Sequence, residues 1–377
     1  MANPSRPSHA ALSKPPAPRR RLRLVLLGQL PLLALIATVW IRTSPVDPDA
    51  YQPEPGADLE GALAPNEDLR AAERLADGLV VGPEDVAVDD RGHIYGGTED
   101  GKIVRLDPDG TNLKVVAETG GRPLGLHFDG DGRLIVADAV TGLLRVQVTG
   151  EQAGNVDVLS TEVGGVPFAF TDDLDIASDG RIYFSDASWR HDHHHYLYDL
   201  LEARPYGRLL RYDPATGETE VLLDGLYFAN GIALSTAEDF VLVNETYRYR
   251  IRRYWLTGPK AGSDDIFIDR LPGFPDGVSA NREGTFWVAL FTVRNPIMDA
   301  LHPWPFLKKA VGSLPPALWP KPAPYGLVIG LDEDGRVVRS LHDVGGENVM
   351  HITSAEEVDG TLYLGNLKLG WIGRVRL

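Results

Sequence analysis

Four oxygen-bearing side chains recur at one register of a pattern that repeats along the chain. Counting eight residues back from the turn glycine of each strand pair, or from Glu238 where that glycine is missing, gives six positions: Glu84, Leu124, Asp172, Asn230, Asp276 and Ile352. Carboxylate and amide oxygens are the ligands that hard divalent cations prefer. We therefore expect Glu84, Asp172, Asn230 and Asp276 to hold one cation on the axis of a repeat fold.

A cation in that position would polarise a carbonyl or phosphoryl oxygen and stabilise the negative charge that develops on it. One of its carboxylate ligands could then act as the nucleophile, or as the base that activates water. Asp276 is the first candidate for this role and Asp172 the second, and His351 is a candidate for proton transfer. The alternative is an ion that only fastens the repeats together at the axis.

The remaining histidines suggest less chemistry. His191 and His193–His195 form an apparent metal cluster. Adjacent histidines on a loop rarely point at one centre, so we expect a solvated loop there rather than a zinc site. His127 lies on a strand three residues after Leu124, and we expect a core histidine there rather than a base.

From about residue 70 the chain repeats a strand–turn–strand texture. Val86–Asp89 leads through a turn at Gly92 into His93–Tyr95 and then Gly101–Leu106, and comparable runs follow along the chain. The six register positions lie 40, 48, 58, 46 and 76 residues apart. A period in the forties with about four strands per unit predicts an all-β fold, a six-bladed β-propeller. The stretch from about Arg74 to Val81 should supply the strand that closes the last blade.

Two insertions interrupt the blades. His193–Arg204 is expected to form a short helix in the third blade, and the Pro-rich segment Asn295–Pro324 is expected to lie over one face. Both could shape a substrate cleft, or they could be packing insertions without a ligand.

The N-terminal region predicts attachment to a membrane. Residues 1–23 are expected to be a disordered basic tail, residues 24–41 a transmembrane signal anchor, residues 42–69 a linker and residues 70–377 the propeller. The 18 uncharged residues 24–41 would span roughly 27 Å as a helix. The arginines before them predict a single-pass topology with the propeller on the non-cytoplasmic side. A cleaved signal peptide is the alternative.

Composition and charge limit the partners. The formal net charge is −16, of which residues 1–50 contribute +5, so the remainder carries −21. This acidity argues against a nucleic-acid surface. The chain has no cysteine, which excludes disulfides and thiolate chemistry. Asn244-Glu245-Thr246 is a glycosylation sequon, which matters only in a secretory-pathway host. The sequence indicates neither a physiological substrate nor an oligomeric state.

Several longer motifs carry a family resemblance. They are Gly82-Pro83-Glu84, Gly121–Leu126, Asp138–Leu144, Phe170–Ile176, Tyr227–Gly231 and the run from Arg252 to Asp276. Over about residues 75–377 the chain resembles the strictosidine-synthase-like proteins, particularly the membrane-anchored adipocyte plasma-membrane-associated type. These belong to a wider set with gluconolactonase, regucalcin and the paraoxonases. The resemblance implies a six-bladed propeller with a central Ca²⁺ and, in many relatives, hydrolysis of esters, lactones or organophosphates.

The resemblance also implies roles for individual residues. In the wider set the calcium ligands are a Glu, two Asn and an Asp; Glu84, Asn230 and Asp276 match, and Asp172 stands where the other Asn is usual. The glutamate that serves plant strictosidine synthases in condensation corresponds to Thr353 here, and the paraoxonase-type histidine corresponds to Leu124. We therefore expect a membrane-anchored, calcium-dependent esterase or lactonase acting on a small molecule. The alternatives are a non-catalytic propeller that binds a partner and, third, a condensing enzyme.

Overall fold

The computed structural model describes residues 42–377, and within them it shows six four-stranded antiparallel sheets arranged around an axis. Five sheets take four consecutive strands each, and a sixth joins the first strand of the fold to the last three. The innermost strands of neighbouring sheets contact one another around the ring. The six-bladed β-propeller predicted from the repeat period is confirmed.

Short strands alternate with tight turns throughout. The strands are β1 (Glu73–Leu75), β2 (Val86–Val88), β3 (Ile94–Gly97), β4 (Lys102–Leu106), β5 (Lys114–Glu118), β6 (Pro123–Phe128), β7 (Leu134–Asp138), β8 (Gly142–Val146), β9 (Val156–Ser160), β10 (Glu162–Val163), β11 (Val166–Pro167), β12 (Thr171–Ile176), β13 (Ile182–Asp186), β14 (Gly207–Asp213), β15 (Glu218–Leu226), β16 (Ala229–Leu234), β17 (Phe240–Glu245), β18 (Arg250–Trp255), β19 (Asp264–Ile268), β20 (Gly273–Ala280), β21 (Thr285–Val293), β22 (Gly326–Asp332), β23 (Val337–Asp343), β24 (Ile352–Val358), β25 (Thr361–Asn366) and β26 (Ile372–Arg376). The α-helices are α1 (Tyr196–Glu202), α2 (Pro296–Leu301) and α3 (Pro305–Gly312), and short 3₁₀ turns cover Gly61–Leu63, Asp68–Ala71, Thr246–Arg248, Gly258–Lys260 and Pro316–Leu318.

The turn between β2 and β3 shows why the pattern is regular. The Asp89 carboxylate accepts the backbone N–H groups of Arg91 and His93 at 3.0 and 2.8 Å. Gly92 has a φ of +80°, which glycine adopts at low cost. Asp129 accepts backbone N–H groups in the same way between β6 and β7, with Gly132 in the left-handed region. These residues therefore fix where each inner strand ends.

The ring closes through the N-terminal strand. β1 pairs with β26, so the last blade has the strand order β1-β26-β25-β24. The closing strand was expected within residues 74–81, and it occupies Glu73–Leu75. Pairing the two ends of the fold in one sheet ties the blades into one ring.

The core lies between the sheets. Large apolar side chains on facing strands are buried there, with Tyr95, Phe184 and Phe286 no more than 1% exposed. Each contact surface between neighbouring blades is therefore a layer of interlocking side chains, and this packing holds the inner strands at a fixed distance from the axis.

Residues 42–69 form a strap packed on the propeller. Val46 is buried with Leu201, Met298 and Trp319, and the N–H of Asp47 donates to Glu202 Oε1 at 2.9 Å. The linker expected here from composition is thus held in place, because its few apolar residues are buried. The short helix expected within residues 193–204 is α1, and the Pro-rich insertion contains α2 and α3, which packs on α1.

The predicted membrane anchor, residues 24–41, lies outside the described residues, as does the predicted basic tail. No helix within residues 42–377 is long and apolar enough to cross a bilayer.

Candidate functional site

A β-bulge near the start of five of the six inner strands, all except β2, turns one residue of each toward the axis. In β12, Thr171 pairs with Asp186 and Leu174 pairs with Phe184. The inner strand therefore advances by three residues where its neighbour advances by two, so it contains one extra residue. The same shift occurs in β6, β16, β20 and β24. The first bulged residues are Leu124, Asp172, Asn230, Asp276 and Thr353, and Glu84 takes this place just before β2. Bulges of this kind re-aim a side chain away from the regular alternation.

One register position was predicted wrongly. Ile352 was expected to be the sixth position, but it pairs with Asn366 as Thr171 pairs with Asp186, so the equivalent residue is Thr353. The last blade has a two-residue turn between Val358 and Thr361, which is shorter than the corresponding turns of the other blades. Counting from its glycine therefore overshoots by one residue.

The four predicted ligand residues converge near the axis. Glu84, Asp172 and Asn230 are buried, and Asp276 is partly exposed. Asn230 Nδ2 donates to Asp276 Oδ1 at 2.6 Å, which leaves Asn230 Oδ1 as the atom free to face an ion. Within residues 42–377, the structure gives Asp172 Oδ2 no hydrogen-bond partner. A buried carboxylate oxygen without a partner is costly unless a proton or a cation compensates it.

The raised pKa values of the clustered carboxyl groups also favour a cation among them. Burial, followed by the charges of Asp276 and Asp172, raises the pKa of Glu84 well above its ordinary value. Burial and the charge of Asp276 likewise raise the pKa of Asp172. Burial raises the pKa of Asp276 to about 7, despite the hydrogen bond from Asn230. Three carboxyl groups that disfavour one another's ionisation form a site where positive charge is strongly favoured.

The fit to a metal ion rests on donor chemistry. Within the described part of the chain, no three His, Asp or Glu side chains are gathered closely enough to form a ready-made ion site. The set combines three carboxylates with one amide, all oxygen donors of the kind calcium accepts. The unpartnered Asp172 Oδ2 and the raised pKa values fit a cation among them. The residue types therefore fit Ca²⁺, although their side chains do not yet surround a single ion position.

An aromatic rim surrounds the mouth of the cluster. Phe170, Phe228 and Phe274 each stand two residues before an axial residue. The ring centroids of Phe170 and Phe228 are 5.4 Å apart, and Tyr247 stacks on Phe228 at 4.5 Å. Phe170 stands before Asp172 at the same spacing as Phe228 before Asn230, which is the sequence signal for its position. The rim makes an apolar surface beside the carboxylates.

His351 occupies the corresponding rim position of the last blade. Its Nε2 lies 3.1 Å from the carbonyl oxygen of Ala323, and its ring stacks on Phe291 with centroids 4.9 Å apart. Burial lowers the pKa of His351, so the ring is neutral near pH 7. The structure thus brings His351 to the mouth but turns Nε2 toward the insertion, and its role in proton transfer stays a prediction.

Arg122 is a rim residue that sequence reasoning missed. Its side chain is buried and donates to the carbonyl oxygens of Gly82 and Leu367 at 2.9 and 3.2 Å. Burial lowers its pKa, while the charges of Glu84 and Asp172 oppose that shift. A fixed guanidinium therefore lies near the axial carboxylates. Its placement two residues before Leu124 is the signal that could have identified it.

Below the four ligand residues lies a second acidic layer. Asp85, Asp173, Asp175 and Glu356 line an axial cavity of about 30 Å³, room for a water molecule or two. Asp173 Oδ2 accepts the N–H of Ile232 at 2.8 Å, which joins neighbouring blades. The Asp173 carboxylate is thus held at this junction between blades. His127 also lines this cavity, with its Nε2 3.8 Å from Asp175, whereas His191 lies elsewhere, buried beside Glu202.

Comparisons with known proteins identify the family. A model described as "Strictosidine synthase" matches residues 172–259, and one described as "Strictosidine synthase-like, N-terminal" matches residues 61–106. The adipocyte plasma membrane-associated protein of Salmo salar is 39% identical, over 95% of this chain and 90% of that protein. The chain belongs to the strictosidine synthase-like family. The human adipocyte plasma membrane-associated protein is 36% identical over the same shares, and strictosidine synthase-like protein 6 of Arabidopsis thaliana is 34% identical over 79% of this chain and 80% of its own.

Solved structures share the fold of this strictosidine synthase-like chain. A gluconolactonase from Xanthomonas campestris superposes with a TM-score of 0.59 at 18% identity, over 89% of this chain and 99% of that chain. Regucalcin from Agrobacterium tumefaciens, described as a calcium-binding protein, superposes with a TM-score of 0.56 at 14% identity, over 80% and 92%. At these identities the likeness shows the propeller fold alone.

The last blade of this strictosidine synthase-like chain has no carboxylate at the axial register. Thr353 occupies it, and its hydroxyl donates to the carbonyl oxygen of Glu84 at 2.6 Å. Thr353 therefore holds the Glu84 backbone and offers no general base. This contact argues against a condensation that depends on a carboxylate there.

The strand next to Asn230 braces the site. Asn244 is fully buried, and its Nδ2 donates to the backbone carbonyl of Asp276 at 2.5 Å. Thr246 Oγ1 donates to the carbonyl of Pro275 at 2.7 Å. A Cβ at Gly231 would lie 2.3 Å from the Val278 nitrogen, so only glycine permits this close approach of two blades. The sequon asparagine is therefore a structural support and is inaccessible to a glycan in the folded protein.

Proposed function

We propose that Glu84, Asp172, Asn230 and Asp276 bind one Ca²⁺ and that the protein hydrolyses small esters or lactones at this ion. The observation that carries the proposal is the buried cluster of three carboxyl groups with raised pKa values and an unpartnered oxygen on Asp172. Such a cluster is unfavourable in a folded protein unless it serves binding or chemistry. The names of structural neighbours, a gluconolactonase and a calcium-binding regucalcin, support the same reading.

The residues of the chain divide the work between binding and proton transfer. When bound, the ion would polarise the substrate carbonyl and offset the charge that develops on its oxygen. Asp276 is the most exposed of the four residues, so its carboxylate is the one best placed to meet attacking water and accept its proton. Asp172, which is more deeply buried, is the second candidate. The aromatic rim would hold the apolar part of the substrate and exclude water from the carboxylates.

A second candidate function is a non-catalytic propeller that binds a partner, with the ion as a fastener. The axial cavity of about 30 Å³ favours this alternative, because ligand pockets usually enclose several hundred Å³. The mutual packing of Phe170, Phe228 and Tyr247 further narrows the mouth. Hydrolysis therefore requires the rim to open for the substrate.

The protein is also proposed to be attached to a membrane by residues 24–41, with the propeller on the non-cytoplasmic side. The name of its relatives, adipocyte plasma membrane-associated protein, supports membrane association. The 18 uncharged residues behind an arginine cluster support a single anchor with this orientation.

The test replaces Asp276 by Asn and measures hydrolysis of an aryl ester and a small lactone, with calcium raised until the site is full. Asparagine keeps one carbonyl oxygen for the ion but cannot accept a proton at neutral pH. We expect the variant to lose activity while retaining measurable calcium, and Asp334→Asn, an exposed change, to leave activity intact.

Two results would count against the proposal. A calcium-loaded Asp276→Asn protein that is as active as its parent would make Asp276 a ligand only. A parent that hydrolyses none of the aryl esters, lactones or organophosphates offered would favour the partner-binding propeller.

A further inference from the structure

Large exposed apolar side chains concentrate on the insertion between β21 and β22. Ile297, Trp304, Phe306, Leu307 and Leu318 are between 38% and 66% exposed, all within 22 residues of chain. Most other large apolar side chains exposed in the described structure are valines scattered over strands and loops. We call these five residues the insertion patch. Concentrated apolar exposure of this kind marks an interaction surface rather than ordinary surface composition.

The insertion patch is not needed for packing the insertion itself. The inward-facing apolar side chains of the insertion are already packed, since Met298 and Trp319 are buried with Val46 and Leu201. A helix on a protein surface normally turns polar residues to water. Here the outward positions carry Ile297 and Phe306 instead, so α2 and α3 are apolar on both sides.

The charge of the insertion differs from that of its surroundings. Residues 295–324 contain three lysines and one aspartate, a net +2, whereas residues 51–377 together carry −21. Lys308 is fully buried, and Lys309, about one-third exposed, pairs with Asp47 at 3.3 Å. Lys321 is exposed. An apolar surface with an exposed lysine, on an otherwise acidic protein, suits a membrane interface, where aromatic rings sit at headgroup level and lysine meets anionic lipid.

The start of the described chain lies beside this surface. Ser44 Oγ donates to the carbonyl of Lys309 at 2.9 Å, and a Cβ at Gly312 would lie 2.6 Å from Val46 Cγ2. Two residues lie between Ser44 and Ile41, so the chain between them spans at most about 10 Å. The described chain therefore begins next to α3.

We propose that the insertion patch is a second membrane contact, which lies in the interfacial layer of the bilayer in which residues 24–41 are anchored. The inference rests on the anchoring put forward under the proposed function. Trp304 and Phe306, whose ring centroids are 6.3 Å apart, enter the interface together with Leu318. The carbonyl oxygen of Ala323, at the end of the insertion, contacts His351 on the rim of the axial site. Contact between the insertion patch and the bilayer therefore also turns this rim toward the membrane.

The absence of cysteine makes a direct test possible. Single substitutions Phe306→Cys and Leu318→Cys, each carrying an environment-sensitive fluorophore, are placed in the full chain in nanodiscs with one copy per disc. Val338→Cys is the matched control, since Val338 is also about half exposed but lies on β23, away from the insertion. We expect blue-shifted emission and quenching by nitroxide lipids at 306 and 318, and water-like emission without quenching at 338.

Each other outcome has a separate meaning. If the protein floats with lipid vesicles but the labels at 306 and 318 are as water-exposed as the label at 338, the second contact is refuted and the anchor stands. If the protein does not float with vesicles, both the anchor and the contact are refuted. If the labels are shielded only in discs that hold two copies, the patch joins two protein chains and the membrane contact is overturned.

Discussion

Asp276 should destabilise the protein when no ion is bound. Its pKa is about 7, compared with an ordinary value of 3.8, so the folded state holds its proton more tightly than the unfolded state does. Between these two pH values the folded state binds more protons, and the free energy of unfolding falls as the pH rises. The shift of about three units, at about 1.4 kcal/mol per unit, corresponds to roughly 4 kcal/mol above pH 7. This is an upper limit, because Asp276 is partly exposed and water screens its charge.

The perturbation is Asp276→Asn in protein freed of divalent ions. We expect the variant to be more stable than its parent at pH 7.5, by up to about 4 kcal/mol, and the difference to shrink toward zero below pH 4. Calcium should act in the opposite direction, because it stabilises the parent more than the variant that has lost a charged ligand. Urea unfolding followed by the fluorescence of the seven tryptophans, from pH 4 to pH 8, measures both effects.

Asp334→Asn is the control, since this exposed carboxylate should change stability by less than about 0.5 kcal/mol at any pH. An ion-free Asp276→Asn protein no more stable than its parent at pH 7.5, with a parent whose stability is flat from pH 4 to pH 8, would refute the electrostatic account of the cluster.

Two further predictions concern the brace behind the site. Asn244→Ala leaves the backbone carbonyl of Asp276 without its buried donor, so it should lower the free energy of unfolding by about 1–3 kcal/mol. The control Asn155→Ala changes an exposed residue and should leave this free energy unchanged. Equal urea midpoints for the two variants would contradict the bracing role of Asn244. Asn244 should also carry no glycan when the protein is made in a eukaryotic secretory host, because its side chain is fully buried, and a mobility shift on glycosidase treatment that Asn244→Gln abolishes would show otherwise.

The fold could be predicted from the sequence because its signal is periodic. Turn residues such as Asp89 and Gly92 recur with each blade, and the six copies reinforce one another. The same counting located Glu84, Asp172, Asn230 and Asp276 at equivalent places. It failed at Ile352, where a shorter turn shifted the register to Thr353. Counting back from a turn glycine therefore finds the axial residue only where the turn has the same length as in the other blades.

Other features of the site depend on contacts between distant residues, which no local pattern reveals. The strap looked like a linker because only scattered residues, such as Val46 and Leu63, are buried. The clamp made by Arg122 reaches Leu367, 245 positions further along the chain. Phe168 packs on Phe184, whereas Phe170, two residues before Asp172, contacts Phe228 at the rim. These placements follow from the closure of the ring, which brings the ends of the chain together.

The most direct test of the account is the calcium content of the full chain, measured by equilibrium dialysis for the parent, Asn230→Ala and the exposed control Asn155→Ala. If the axial site binds the ion, the parent binds calcium, and calcium raises its melting temperature. Asn230→Ala should bind one equivalent less and should lose this rise in melting temperature. Asn155→Ala should match the parent in both measurements. A parent that binds no calcium, or an Asn230→Ala protein with unchanged calcium content, would contradict the assignment of Glu84, Asp172, Asn230 and Asp276 as the ion site.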